Sequence, residues 1–141
     1  MSVIFINGVF DCLHVGHINF LQFCELERKK RDCRLVIALD SDEKVKADKG
    51  PSRPLFSMEE RTSQLRYITP SIIQCDLFFE FSSDKNLESL ICSLKPILIK
   101  GERWKGNVVG EQFASEIIYC PDFPNRPSTT DIERRVLNGC K

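Results

Sequence analysis

The chain holds two histidines, and both lie in one tetrapeptide, His14-Val15-Gly16-His17. Near neutral pH an imidazole can donate a hydrogen bond, accept one, or ligate a metal. Two of them three residues apart read as one device. An apolar run at residues 3–7 precedes them and reads as a strand; residues 18–30 follow and read as a helix. A strand-to-helix turn exposes unpaired backbone N–H groups, and imidazoles placed beside them make a site suited to phosphate. A zinc site lacks a third ligand near the pair. Alone, the tetrapeptide is short enough to be a surface pair or a helix cap, so its meaning depends on what surrounds it.

Three further polar clusters follow predicted strand ends: residues 40–53, 100–104 and 126–130. They carry Lys44, Lys46, Lys49, Lys100, Arg103, Arg126 and the hydroxyls of Ser128, Thr129 and Thr130. Cations, hydroxyls and helix starts are the groups that polyphosphate needs. Neither G-x-x-x-x-G-K-[ST] nor G-x-G-x-x-G occurs, so the cradle is of another kind.

The elements that position these clusters alternate in type. Residues 33–39, 76–81, 97–99 and 116–119 read as further strands, mostly apolar throughout, as in a parallel sheet covered on both faces. The helix at 18–30 is expected to turn Ile18, Leu21 and Leu26 inward and to end on the cations 28–31. Residues 40–57 read as a loop opening with a helical turn. Ser57-x-x-Glu60 opens a helix to about residue 67, residues 85–94 form another, and Ser128 caps a last one over 129–137. The pattern predicts one α/β domain over residues 1–141, with a doubly wound parallel sheet of about five strands. Its ligand is expected at the C-terminal strand ends, where the clusters converge.

At 141 residues, 42% hydrophobic and 28% charged, the composition is that of a globular domain. Lys plus Arg equals Asp plus Glu at 20 each, which removes the basic field that nucleic acid or an anionic membrane would require. No apolar run nears the roughly 20 residues of a membrane span, and no signal-peptide pattern opens the chain. A cytoplasmic location is expected. Seven cysteines without a C-x-x-C pair read as reduced thiols, mostly in the core.

Asn7-Gly8-Val9-Phe10-Asp11-x-Leu13-His14-x-Gly16-His17 resembles the signature of the cytidylyltransferase-like nucleotidyltransferases, a Rossmann-like family. Ser41-Asp42, Val45-Lys46, Lys49-Gly50-x-x-Arg53-Pro54, Glu60-Arg61, Ile99-Lys100-Gly101, Val109-Gly110 and Ser128-Thr129-Thr130-x-Ile132 are similar to the bacterial heptose 1-phosphate adenylyltransferase domain. Arg66-Tyr67, the run from Gly101 to Gly106 and the Ser-Thr-Thr helix start are similar to glycerol-3-phosphate cytidylyltransferase.

The resemblance implies attack of an acceptor phosphate on the α-phosphorus of a nucleoside triphosphate. His14, His17 and Lys46 are the implied catalytic residues. Val9, Phe10, Asp11, Gly16, Lys49, Lys100, Gly101, Arg126, Ser128, Thr129 and Thr130 are implied at the nucleotide, and Asp11, Glu102, Arg103 and Trp104 at the acceptor. It further implies a homodimer and Mg²⁺ carried mainly by the phosphates, with Asp11 a candidate contact.

Arg61 and Arg66 read as packing or a subunit contact. Two departures stand out: residues 68–75 form a longer segment than in either relative, and Arg103 replaces an acid. The spacing favours ATP with a sugar 1-phosphate. CTP with glycerol 3-phosphate and a non-catalytic nucleotide-binding module are the alternatives.

Overall fold

Residues 4–6 and 35–39 are buried at every position, which only a sheet covered on both faces allows. The computed structural model describes residues 2–122 and 128–139. It builds that sheet from β1 (Val3–Gly8), β2 (Arg34–Asp40), β3 (Leu77–Phe81), β4 (Ile97–Gly101) and β5 (Glu116–Cys120). All pairings are parallel, in the order β3-β2-β1-β4-β5. The helices are α1 (Val15–Arg31), α2 (Asp42–Lys49), α3 (Met58–Ile72), α4 (Asp84–Leu94) and α5 (Thr129–Gly139). Short 3-10 turns occupy Glu102–Trp104 and Glu111–Phe113.

The pleat sorts the core into two layers. Ile4, Ile6, Leu35 and Ile37 pack with Leu21 and Cys24 of α1 and Leu65 of α3. Phe5, Val36 and Leu98 pack on the other face with Leu87 and Ile91 of α4. Strand order reverses at β1: the chain steps outward to β2 and β3, then returns to lay β4 and β5 on the opposite side. This leaves a crevice at the C-terminal ends of β1 and β4, where such sheets bind ligands.

Several elements differ from the sequence expectation. Leu26 is 67% exposed and Cys24 is buried in its stead. Five residues beyond Leu21 is about 140° round the helix from the core-facing side, whereas Cys24 stays on it. Residues 42–49 form a full helix, because Ser41 Oγ accepts the Lys44 N–H at 3.2 Å and Val45 is buried beneath it. The helix after Ser57 runs through Pro70 to Ile72, closed by the Ile73 N–H donating to Thr69 O at 2.7 Å. Residues 68–72 thus extend α3. Ile68 and Tyr67 border a shallow hollow beside Leu13 and Phe56, apart from the crevice.

The six described cysteines are free thiols. Among the described residues no helix is long and apolar enough to cross a membrane.

Gly110 shows how tightly the layer over α4 is set. Its φ is +78°, and a Cβ there would come within 2.7 Å of Ile91 Cδ1 and 3.1 Å of Ile91 Cβ. Gly110→Ala is expected to destabilise the protein by about 1–3 kcal/mol in urea denaturation, through left-handed strain and overpacking together.

Candidate active site

Helix α1 opens with backbone N–H groups that have no carbonyl to reach. His14 is its N-cap, with φ −143° and ψ 178°, and its Nδ1 accepts the Gly16 N–H at 3.0 Å. His17, three residues on, returns its own Nδ1 to accept the His14 N–H at 3.2 Å. This is a capping box built from two imidazoles where Ser and Glu are usual. Because each Nδ1 accepts, each ring proton sits on Nε2. The rings lie 4.0 Å apart between centroids, and both line a cleft of about 690 Å³ at the crevice between β1 and β4.

The surroundings favour the neutral form of both rings at neutral pH. Burial, then the neighbouring His14, push the His17 pKa down to about 3, with Lys49 adding to the effect and Asp11 opposing it. Burial and the Arg103 charge hold His14 below the ordinary value of 6.5. The pair thus presents neutral N–H donors at the positive end of a helix, an arrangement that favours an anion.

The loop carrying the pair is strained and firmly held. Phe10 and Cys12 have φ of 51° and 50°, left-handed values that side chains rarely adopt. Phe10 folds over Gly8, where a Cβ would meet its ring at 3.1 Å, and its centroid lies 5.5 Å from that of His17. Arg61, fully buried, donates to Val9 O at 2.9 Å, Phe56 O at 3.0 Å and Asp42 Oδ1 at 2.7 Å. Arg61 is therefore a packing anchor, and Arg66 packs over the Phe78 ring at 5.0 Å.

Asp11 does not face the cleft. Its carboxylate, 1% exposed, accepts the N–H groups of Leu55 and Phe56 at 2.7 and 3.0 Å and faces Arg53 Nε at 3.4 Å. A group so engaged holds the loop and is poorly placed for a metal, nucleotide or acceptor.

The other predicted residues divide. Val9, Phe10, Gly16, Lys49, Lys100 and Gly101 line the cleft, as do Arg103, Trp104 and residues 128–130. Lys46 and Glu102 do not. Lys46 lies exposed on α2, three residues before Lys49, and Glu102 accepts the Asp122 N–H at 2.9 Å. Lys44 serves structure: burial opposes its charge, yet bonds to Asp48 and Asp40 raise its pKa above the ordinary range.

At α5, the Ser128 hydroxyl donates to Asp131 Oδ2 and accepts the Asp131 N–H, while Thr129 Oγ1 donates to Asp11 O at 2.8 Å. The Ser128 and Thr129 hydroxyl protons and the Ser128 and Asp131 N–H groups are all engaged, so what α5 offers an anion is the N–H groups of Thr129 and Thr130 and the Thr130 hydroxyl. Arg126 lies outside the described residues. Among the described residues no group of three or more His, Cys, Asp or Glu is placed to hold a metal ion.

Sequence reasoning missed Phe20, Asp122 and Asp131 as cleft residues. Ser128-x-x-Asp131 is itself a capping signature, and Phe20 stands one helical turn after His17; both could have been read. Asp122, 3.8 Å from Arg103, carries no such local signal.

Comparison with known proteins settles the family. A cytidylyltransferase-like family model matches residues 5–135. The chain belongs to the cytidylyltransferase-like family. It is similar to the bifunctional protein HldE of Campylobacter fetus, 39% identical over 96% of this chain, and to that of Aliarcobacter butzleri, 34% identical over 99%. It spans 28% of the length of either relative. Family membership and these relatives point to a nucleotidyltransferase.

Two solved structures share the fold: a universal stress protein from Archaeoglobus fulgidus and a macrolide-efflux protein from Streptococcus pneumoniae. The first has a TM-score of 0.57 and 13% identity, covering 85% of this chain and 93% of that one. The second has 0.63 and 17%, covering 96% and 51%.

The histidine assignment is measurable without substrate. Nitrogen-detected NMR is expected to show both rings as Nε2–H tautomers, with His17 failing to titrate between pH 5 and 8. A His17 transition near 6.5 would contradict the burial that the fold imposes. The sign for stability follows: the unfolded chain takes this proton first, near 6.5. His17 therefore contributes fully above that pH and progressively less as pH falls toward about 3.

Proposed function

We propose that this chain transfers the nucleotidyl group of a nucleoside triphosphate to the phosphate of a small acceptor, releasing pyrophosphate. The observation that carries the reading is the imidazole capping box: two neutral Nε2–H donors on a helix N-terminus, lining a cleft at the strand-order reversal. Similarity to the HldE proteins favours ATP with a heptose 1-phosphate. The Gly101-to-Gly106 segment with Trp104 favours CTP with glycerol 3-phosphate as the second choice.

The chemistry asks little of acid–base groups. An acceptor phosphate is already an anion, so its oxygen can attack the α-phosphorus with no proton removed. A new P–O bond forms as the bond to the bridging oxygen breaks, and that electron pair leaves with pyrophosphate. What limits such a reaction is alignment and the charge that develops on the departing oxygens. His14 and His17 donate to those oxygens from fixed positions, at no reorganisation cost. Lys49, at the end of α2, adds a cation at the cleft wall. Magnesium would be carried by the triphosphate and would neutralise charge on its phosphates; the Asp11 carboxylate, engaged with the Leu55 and Phe56 N–H groups, does not suit it as a protein ligand.

Pyrophosphate release tests this with ATP, CTP, GTP and UTP crossed against heptose 1-phosphate, glycerol 3-phosphate, phosphocholine and phosphoethanolamine. ATP with heptose 1-phosphate is expected to turn over. His17→Ala is expected to lower kcat about 10²–10³-fold in that pair. Triphosphate binding with no release across the panel would instead favour a non-catalytic nucleotide-binding module.

A further inference from the structure

Lys100 stands out among the cleft residues because, among the described residues, its charge has no ion-pair partner. It sits near the end of β4, across the crevice from Asn7 on β1, and its Nζ lies 3.3 Å from Asn7 Oδ1. The indole of Trp104 covers it at 5.4 Å. Among the described residues no carboxylate pairs with it. Asp40, at the end of β2, is the negative charge that acts on it, but it is buried and bonded to Lys44 Nζ at 3.0 Å. A half-buried ammonium with one amide oxygen and one aromatic face is under-satisfied, and the fold bears a cost for keeping it there.

That cost shows in its titration. Burial is the largest influence and lowers the Lys100 pKa to about 8; Asp40 opposes the shift and Lys44 adds to it. The charge is therefore available at neutral pH, in the cleft, and without an ion-pair partner among the described residues. An anion arriving there meets a donor that is already partly desolvated.

Two anions meet in the proposed reaction, and the cleft is lined by donors from different elements that could serve one each. The triphosphate has the imidazoles of α1 and the start of α5. In-line displacement places the attacking oxygen opposite the departing pyrophosphate, so the acceptor needs a cation on another wall. Lys100 and Trp104 form that wall from β4 and the turn that follows it.

We propose that Lys100 anchors the phosphate of the acceptor, with the half-exposed Trp104 ring as the surface on which the acceptor's carbon skeleton rests. The inference rests on the nucleotidyl-transfer reading for the word acceptor, though not for the anion site itself. Affinity at this site falls as pH rises through about 8, where Lys100 loses its proton. Its direct contacts are Asn7 on β1 and the Trp104 ring, while Asp40 on β2 and Lys44 on α2 act on it as charges. The same cleft also carries His14, His17, Lys49, Arg103, Asp122 and Asp131, so the Lys100→Arg comparison is what assigns the pH response to Lys100 itself.

The test compares the wild type with Lys100→Met, which keeps length and loses charge, and Lys100→Arg, which stays charged at every accessible pH. Thermal midpoints establish that each variant folds. Each protein is titrated with inorganic phosphate in the presence of excess α,β-methylene-ATP at pH 7 and pH 9.5. KM values for both substrates are measured in whichever pair turns over.

Lys100→Met is expected to raise the acceptor KM, and weaken phosphate binding at pH 7, about 10- to 100-fold. The triphosphate KM should stay within about twofold. Phosphate binding to the wild type should weaken between pH 7 and 9.5, whereas Lys100→Arg should hold its affinity. A raised triphosphate KM with an unchanged acceptor KM would overturn the proposal and make Lys100 a nucleotide ligand. No change in either KM or in phosphate binding would overturn it too, leaving Lys100 a structural residue. Lys100-dependent phosphate binding without turnover in any pair would uphold the anion site and sink the transfer reading instead.

Discussion

A helix starts with N–H groups that have no carbonyl to bond, and α1 meets that need with two imidazole nitrogens. The consequence runs through the whole site. Each Nδ1 is fixed as an acceptor, so each proton is fixed on Nε2. Burial, helped by the Arg103 charge at His14 and by the neighbouring imidazole at His17, holds both rings below the ordinary histidine pKa and so favours their neutral form. One backbone requirement thereby sets tautomer, charge state and donor identity together. The usual Ser and Glu of a capping box would satisfy α1 equally well and leave no ring donor behind.

That arrangement needs a loop that cannot relax. Phe10 and Cys12 stand at left-handed φ, a local cost that the surroundings must outweigh. Arg61 and Asp11 supply the restraint from opposite ends. The first grips Val9 and the second gathers Leu55 and Phe56, so the loop is tied to the chain around α2 and α3. The Thr129 hydroxyl then bonds Asp11 O and brings α5 onto the same loop. Leaving the buried Arg61 without these partners would cost about 3–5 kcal/mol, by analogy with broken buried pairs. The two helix starts at the cleft, α1 and α5, are therefore joined through one loop.

What the sequence revealed and what it hid divide along the distance over which each interaction acts. The central strands β1 and β2 were legible because buried parallel strands are apolar in a continuous run, and the half-buried edge strands β3 and β5 because they keep short apolar stretches. The imidazole pair was legible because its capping bonds span two and three residues. Ser128 was legible as a cap for the same reason, though its hydroxyl turned out to be engaged with Asp131.

Asp11 misled: an acid inside the motif invites a ligand role, and its real partners lie more than 40 residues away. Arg61 reads on paper like any helix arginine, and only the fold makes it wholly buried. Lys46 and Lys49 carried different implied roles, catalytic and nucleotide-binding, and the helix that replaces the expected loop puts Lys49 in the cleft lining and leaves Lys46 out of it. The unpaired charge of Lys100 could not be seen either, because lacking a carboxylate neighbour is a property of the folded chain.

The central claim is that the imidazoles act as fixed hydrogen-bond donors and never bond to phosphorus. The stereochemical course at the α-phosphorus tests it most directly, using a triphosphate with sulfur in one non-bridging α position, in the pair that turns over. Donor histidines predict one in-line displacement, and so inversion of configuration at phosphorus. Retention would mean two displacements through a covalent enzyme intermediate, and would contradict the Nε2–H donor role on which this account rests.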